Sequence, residues 1–252
     1  SWKILISDGL SEKGIGILQN SAEVIVRDGM SVEELLNEVA DVDAIIVRSK
    51  TKVTESVFNA AKSLKVVGRA GVGVDNIDID SAAKHGVIVV NSPTATTVSV
   101  AELTMGLMLS LAREIPRADS AMKDGAWLKK EMTGVELSDK VLGIIGFGRI
   151  GSFVAERAAS FGMRVLGYDP LISAEEIRQR GGEPVSLDEL YANSDFISLH
   201  IPLTGNTQNM LKTQDFMKMK KGVRIVCAAR GGVIDENALL AALESGQVAG
   251  AA

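Results

Sequence analysis

One feature constrains this chain more than any other. An apolar run over residues 141–145 passes into Gly146-Phe147-Gly148-Arg149-Ile150-Gly151 and then into a helical pattern. By spacing alone Gly-x-Gly-x-x-Gly is a weak motif, but a strand before it and a helix after it make it a phosphate-binding βα turn. Gly146 permits the tight bend, Gly148 lets a diphosphate reach bare backbone, and Gly151 lets helix and strand pack closely. The first amides of the helix, around Arg149 and Ile150, then face the phosphates along the helix dipole, and Phe147 lies within the turn. The next apolar run, 164–168, ends at Asp169. A carboxylate there accepts both ribose hydroxyls of an adenosine and repels a 2′-phosphate, which favours NAD over NADP. The plainer reading of Asp169 is a turn former before Pro170.

Strands are expected over 3–7, 23–27, 44–47, 65–68 and 87–91, with helices near 11–20, 32–40, 54–62 and 79–85. Ser31 and Glu34 form a capping box for the second of these helices. A second series has strands over 141–146, 164–168, 196–200, 223–227 and 248–252, with helices near 149–161, 173–180, 207–219 and 235–245. Strict alternation implies parallel pairing through crossovers, so the fold class is α/β with two doubly wound parallel sheets. The chain has 252 residues, and at about 150 residues per domain it has room for two small ones. Asn91-Ser92-Pro93 breaks the chain, because proline disfavours helix in the residue before it; this divides it into 1–93 and 94–252. The helix expected over 97–113 is apolar almost all round, which predicts burial on every side, either against a second copy or between the domains.

A net charge of −5 argues against nucleic acid as a partner, since phosphate neutralisation needs a basic face. A small anion held by a few arginines remains compatible. Three arginines each follow a strand: Arg48, Arg69 and Arg230. Ligands of open α/β sheets bind at that carboxyl edge, and the planar guanidinium suits carboxylate or phosphate. The bland alternative for each is a surface ion pair. Gly71-Val72-Gly73 is glycine-rich, but Asn76 occupies the place of a third glycine, so it is not a second dinucleotide fingerprint; its amides still suit a carboxylate. The lysines at 218, 220 and 221 complement a helix dipole. His85 and His200 read as structural, and no Cys/His spacing points to a metal. The single cysteine, Cys227, fits a reducing cytosolic setting. The chain opens on an apolar strand without a basic leader, and no stretch is long and apolar enough to span a bilayer, so a cytoplasmic protein away from the membrane is expected.

At these residues the chain resembles the D-2-hydroxyacid dehydrogenases. The resemblance is carried by 44–51, 68–78, 101–113, 122–127, 143–151, 161–170 and 220–252. It implies a flavodoxin-like substrate domain first, with its return segment absent, and a Rossmann NAD domain after it. It implies NAD-dependent oxidation of 3-phosphoglycerate to 3-phosphohydroxypyruvate, the first step of phosphorylated serine biosynthesis, by a homodimer or homotetramer joined through the NAD domain. The alternatives are a glyoxylate or hydroxypyruvate reductase and a non-catalytic NAD-binding corepressor of the same fold. The resemblance makes Arg230 the catalytic arginine and places Arg48, Ser49, Arg69, Gly71 and Gly73 near the substrate, with Lys129 as a contribution from a partner subunit. It places Val72, Ile201, Pro202, Thr207, Ala228 and Ala229 with the turn residues and Asp169 around the cofactor. Val72 and Ile201 stand where relatives often carry threonine, and Cys227-Ala228 where they carry Asn-Cys, which weakens cofactor contacts. The family's histidine and glutamate fall after Ala252, so this chain is expected to bind rather than turn over.

Overall fold

A computed structural model describes residues 1–252. The chain divides into two compact units, Ser1–Thr96 and Thr97–Ala252. The first contains β1 (Trp2–Ile6), α1 (Glu12–Gln19), β2 (Ala22–Val26), α2 (Val32–Glu38), β3 (Ala44–Val47), α3 (Glu55–Ala60), β4 (Val66–Arg69), α4 (Ile79–Lys84) and β5 (Ile88–Asn91). Its five strands run parallel in the order β2-β1-β3-β4-β5. Ser31 and Glu34 close a capping box at the start of α2. Because side chains alternate along a strand, the register puts Leu5, Ile45 and Val67 on one face. They are fully buried there with Leu35 of α2, Val57 and Phe58 of α3 and Ala82 of α4. On the other face, Ile6 is buried beside Ile46, but further along the same row Val90 is 49% exposed.

The second unit contains α5 (Thr97–Arg113), α6 (Ile115–Lys123), β6 (Val141–Ile145), α7 (Arg149–Ser160), β7 (Arg164–Tyr168), α8 (Ala174–Gln179), β8 (Glu183–Pro184), α9 (Leu187–Asn193), β9 (Phe196–Leu199), α10 (Thr213–Lys218), β10 (Val223–Cys227), α11 (Glu236–Glu244) and β11 (Val248–Ala251). The parallel order is β11-β10-β9-β6-β7-β8. Here both faces are covered. Leu142 and Ile144 of β6 pack with Met105 and Met108 of α5 and Val154 and Ala158 of α7. Ile145, Ile197 and Ile225 pack with Leu190 of α9, Phe216 of α10 and Ala238 of α11.

Along the helix over 97–113, Ala101, Thr104, Met105, Met108 and Ala112 make one buried stripe, while Val98 and Leu103 face outward, on the side left for the second copy that the sequence expectation named. Thr104 is tolerated in that stripe because its hydroxyl donates to the Val100 carbonyl at 2.8 Å. The helix near 207–219 begins only at Thr213, because Leu211 bridges to Ile234 and Asn209 takes a left-handed φ of 48°. Finally, α6, β8 and α9 were not foreseen, although Ser186 and Glu189 form a capping box ahead of α9.

Candidate functional site

The glycine turn joins β6 to α7. Gly146 has φ +92°, a conformation that favours glycine, and a Cβ there would meet the His200 carbonyl oxygen at 2.6 Å and Ile201 Cγ2 at 2.7 Å. A Cβ on Gly151 would overlap the Gly146 carbonyl. Gly148 is the N-cap of α7 and supplies no side-chain oxygen to the helix's first amides, while nothing lies within 4 Å of its Cβ position. Those amides have no partner inside the helix. The residues therefore fit a dinucleotide diphosphate: open backbone donors, positive dipole and empty space at the approach.

Asp169 follows β7 directly. One carboxylate oxygen accepts the Phe147 amide at 2.9 Å and the other accepts the Leu171 amide at 2.9 Å. Each oxygen keeps a lone pair for a ribose hydroxyl. Phe147, expected among the cofactor contacts, is instead core: its side chain is wholly buried and its amide is committed to Asp169. Its ring lies so close to Gly167 and Gly182 that neither has room for a Cβ. Ile201 is likewise buried, backing the turn rather than facing outward. Thr207 spends its hydroxyl on the Pro202 carbonyl at 2.6 Å and accepts the Thr204 amide at 2.7 Å, which ties the loop after β9.

His200 ends β9. Its Nε2 pairs with Ser198 Oγ at 2.8 Å, whereas Nδ1 is buried without a partner. Burial pulls its pKa down from 6.5 to about 4, so the ring is neutral at neutral pH. After β10, Ala228, Ala229 and Arg230 line a cavity of about 410 Å³ with Cys227, Gly231 and Gly232. Arg230 is exposed, and its Nη1 donates to the Ala229 carbonyl at 2.9 Å.

The carboxyl edge of the first sheet carries the other arginines. Arg48 and Ser49 are exposed after β3. Their loop is held by Asp8, which the sequence reading missed: its carboxylate accepts the amides of Arg48 at 2.7 Å and Thr51 at 3.0 Å, and the Thr51 hydroxyl. Desolvation would raise the Asp8 pKa, but the Thr51 and Arg48 hydrogen bonds outweigh it and hold it below the usual value. Asn76 adds two bonds from its amide, to the carbonyls of Arg48 at 2.9 Å and Thr51 at 2.6 Å. Arg69 folds over its own turn. Its Nη1 donates to Ala70 O at 3.2 Å and passes where a Cβ on Gly71 would lie, so any larger residue there would have to displace the Arg69 side chain. Its Nε is buried without a partner, an unused donor. Val72 O accepts from Asn91 at 2.6 Å, and Gly73 is partly buried beside it. Lys129 is exposed between α6 and β6.

Residues 105–252 match the model for the D-isomer specific 2-hydroxyacid dehydrogenase, NAD binding domain. A D-3-phosphoglycerate dehydrogenase of Sus scrofa is 51% identical over 251 residues, covering 99% of this chain and 47% of that protein. The chain thus spans about half the length of the curated relatives it matches. The structure of a glyoxylate reductase from Paecilomyes thermophila superposes with a TM-score of 0.91 at 32% identity, covering 100% of this chain and 80% of that one. A D-lactate dehydrogenase from Aquifex aeolicus, complexed with NAD and lactic acid, gives 0.87 at 33% identity, over 98% of this chain and 75% of that one. With the family model matching more than half of its residues, this chain belongs to the D-isomer specific 2-hydroxyacid dehydrogenases.

Proposed function

We propose that the second unit binds NAD at the glycine turn and that the whole protein oxidises 3-phosphoglycerate to 3-phosphohydroxypyruvate, the entry to phosphorylated serine biosynthesis. The observation that carries this reading is the N-terminus of α7, with Gly148 as a cap that offers no oxygen and leaves the approach open. Asp169 selects the unphosphorylated ribose, as its charge opposes a 2′-phosphate. Bound NAD supplies a hydride acceptor. The chain's own residues bind and orient: Arg230 takes the substrate carboxylate or carbonyl, and Arg48 and Arg69 take the phosphate. The unpartnered Nε of Arg69 supports that assignment, because a buried donor is costly until an acceptor reaches it. The outward Val98 and Leu103 of α5 support self-association through the second unit.

Calorimetry is expected to find NAD binding with preference over NADP; an absence of binding at millimolar dinucleotide would overturn the reading. On the full-length protein, Arg69→Ala should reduce kcat/KM for 3-phosphoglycerate by about 2 kcal/mol and for glycerate far less. Equal losses would remove Arg69 from the phosphate and favour a reductase of unphosphorylated acids. No turnover at all on a complete chain would favour a corepressor.

A further inference from the structure

Residue 147 is gripped by opposite charges at both ends of its main chain. Asp169 accepts its amide at 2.9 Å, and Arg180 Nη1 donates to its carbonyl at 2.9 Å. Arg180 caps the carboxyl end of α8, and the following loop is pressed onto the Phe147 ring at Gly182, so packing holds the guanidinium at the turn. The two charged groups make no ion pair with each other. The other partner of Arg180 is Glu176, at 3.5 Å and partly exposed. A guanidinium has five N–H donors, so several are uncommitted. The sign of this corner is therefore set by two carboxylates against one guanidinium.

Resting on the NAD reading above, we propose that Arg180 is a selectivity residue: it steadies the phosphate turn through Phe147, and it is the cation that takes an adenosine 2′-phosphate once Asp169 is replaced by an uncharged side chain. The planar fork suits phosphate, and Arg180 and Asp169 hold the two ends of the same residue of the turn. With Asp169 in place, a 2′-phosphate meets two carboxylates against one guanidinium. With an uncharged residue at 169, one carboxylate faces one guanidinium and the repulsion is gone.

The test measures calorimetric binding of two fragments, 5′-AMP and 2′,5′-ADP, to the natural chain, Asp169→Asn, Asp169→Asn/Arg180→Met and Asp169→Asn/Arg180→Lys. Asparagine keeps one acceptor for the Phe147 amide and loses the bond to the Leu171 amide, a change that every variant compared below with Asp169→Asn shares. The natural chain should prefer 5′-AMP. Asp169→Asn should gain about tenfold for 2′,5′-ADP, Arg180→Met should remove that gain, and Arg180→Lys should keep most of it, since the charge remains. If the Met double variant binds 2′,5′-ADP as tightly as Asp169→Asn does, the assignment is overturned. Should Asp169→Asn fail to fold, Arg180→Met alone decides: a several-fold widening of the NAD over NADP ratio supports the proposal, and an unchanged ratio defeats it. Failure of every variant to bind any adenosine probe would overturn the NAD reading and the role of Arg180 with it.

Discussion

The turn after β1 and the turn after β6 occupy the same place in two parallel sheets, yet they are finished in opposite ways. In the first unit, Asp8 fills the carboxyl edge with its own oxygens, and Ser11 accepts the Gly14 amide at 3.2 Å as the cap of α1. The protein thereby supplies its own anion and its own cap. In the second unit Gly148 begins α7, no side chain caps the amides and the approach is open. One topology yields a structural tie in one place and an anion cradle in the other. What separates them is side-chain chemistry at a few positions, which is why fold alone does not assign the site.

The harshest way to break the contrast is to add carbon at the cradle. In Gly151→Val a Cβ would run into the Gly146 carbonyl, and backbone has little freedom to yield. The expected cost is about 3 kcal/mol in the stability of the second unit, together with loss of NAD binding. Denaturant melts and calorimetry on the variant would check both. Wild-type stability with intact affinity would mean that the close approach of helix and turn is unimportant.

The contrast also explains what could be read before the structure. The glycine turn was legible because its spacing is local, and Ala44–Val47 and Arg164–Tyr168 were legible to the residue as short apolar runs closed by Arg48 and Asp169. Asp8, Asn76 and Arg180 were not, because their partners lie 40, 28 and 33 residues away. The start of α10 was misplaced for the same reason: the bridge between Leu211 and Ile234 competes with helix, and no local pattern announces it. The α9 segment carried a readable signal in Ser186 and Glu189 that went unused. Over α5 apolar residues occur on all sides, and only one stripe finds a partner within the unit, so the rest of the pattern cannot be read from one chain.

Acid should separate the two units. His200 titrates at about 4 in the folded second unit, against the usual 6.5. Between those values the unfolded chain binds a proton that the folded chain refuses, so stability falls as pH falls through that window. The loss by about pH 4 is roughly 3 kcal/mol. Asp8 behaves differently. Its folded pKa lies below the usual 3.8, so its contribution is intact above the ordinary carboxylate range and is lost only as pH falls through the depressed value. Hydrogen exchange from about pH 7 to pH 4 should therefore show the second unit loosening first, and His200→Gln should flatten that response. Simultaneous loosening of both units, or an unaltered response in the variant, would contradict the assignment to His200.

The mildest test uses the same kind of substitution where nothing opposes it. Gly16 lies inside α1, and a Cβ there would meet no atom within 4 Å. Alanine removes unfolded-state freedom and adds helix propensity, so Gly16→Ala should stabilise the first unit by about 0.5–1 kcal/mol. Its neighbour Gly14 is the control, since a Cβ there would meet Leu10 Cδ2 at 2.9 Å. That atom is the end of a flexible side chain, so Leu10 must shift and the gain from propensity is partly cancelled. Urea midpoints should rank Gly16→Ala above Gly14→Ala, with both leaving NAD affinity unchanged because neither alters the α7 turn. The reverse ranking would mean that α1 is held by contacts its glycines permit, as α7 is, and the distinction between a helix packed against its turn and one merely capped would fail.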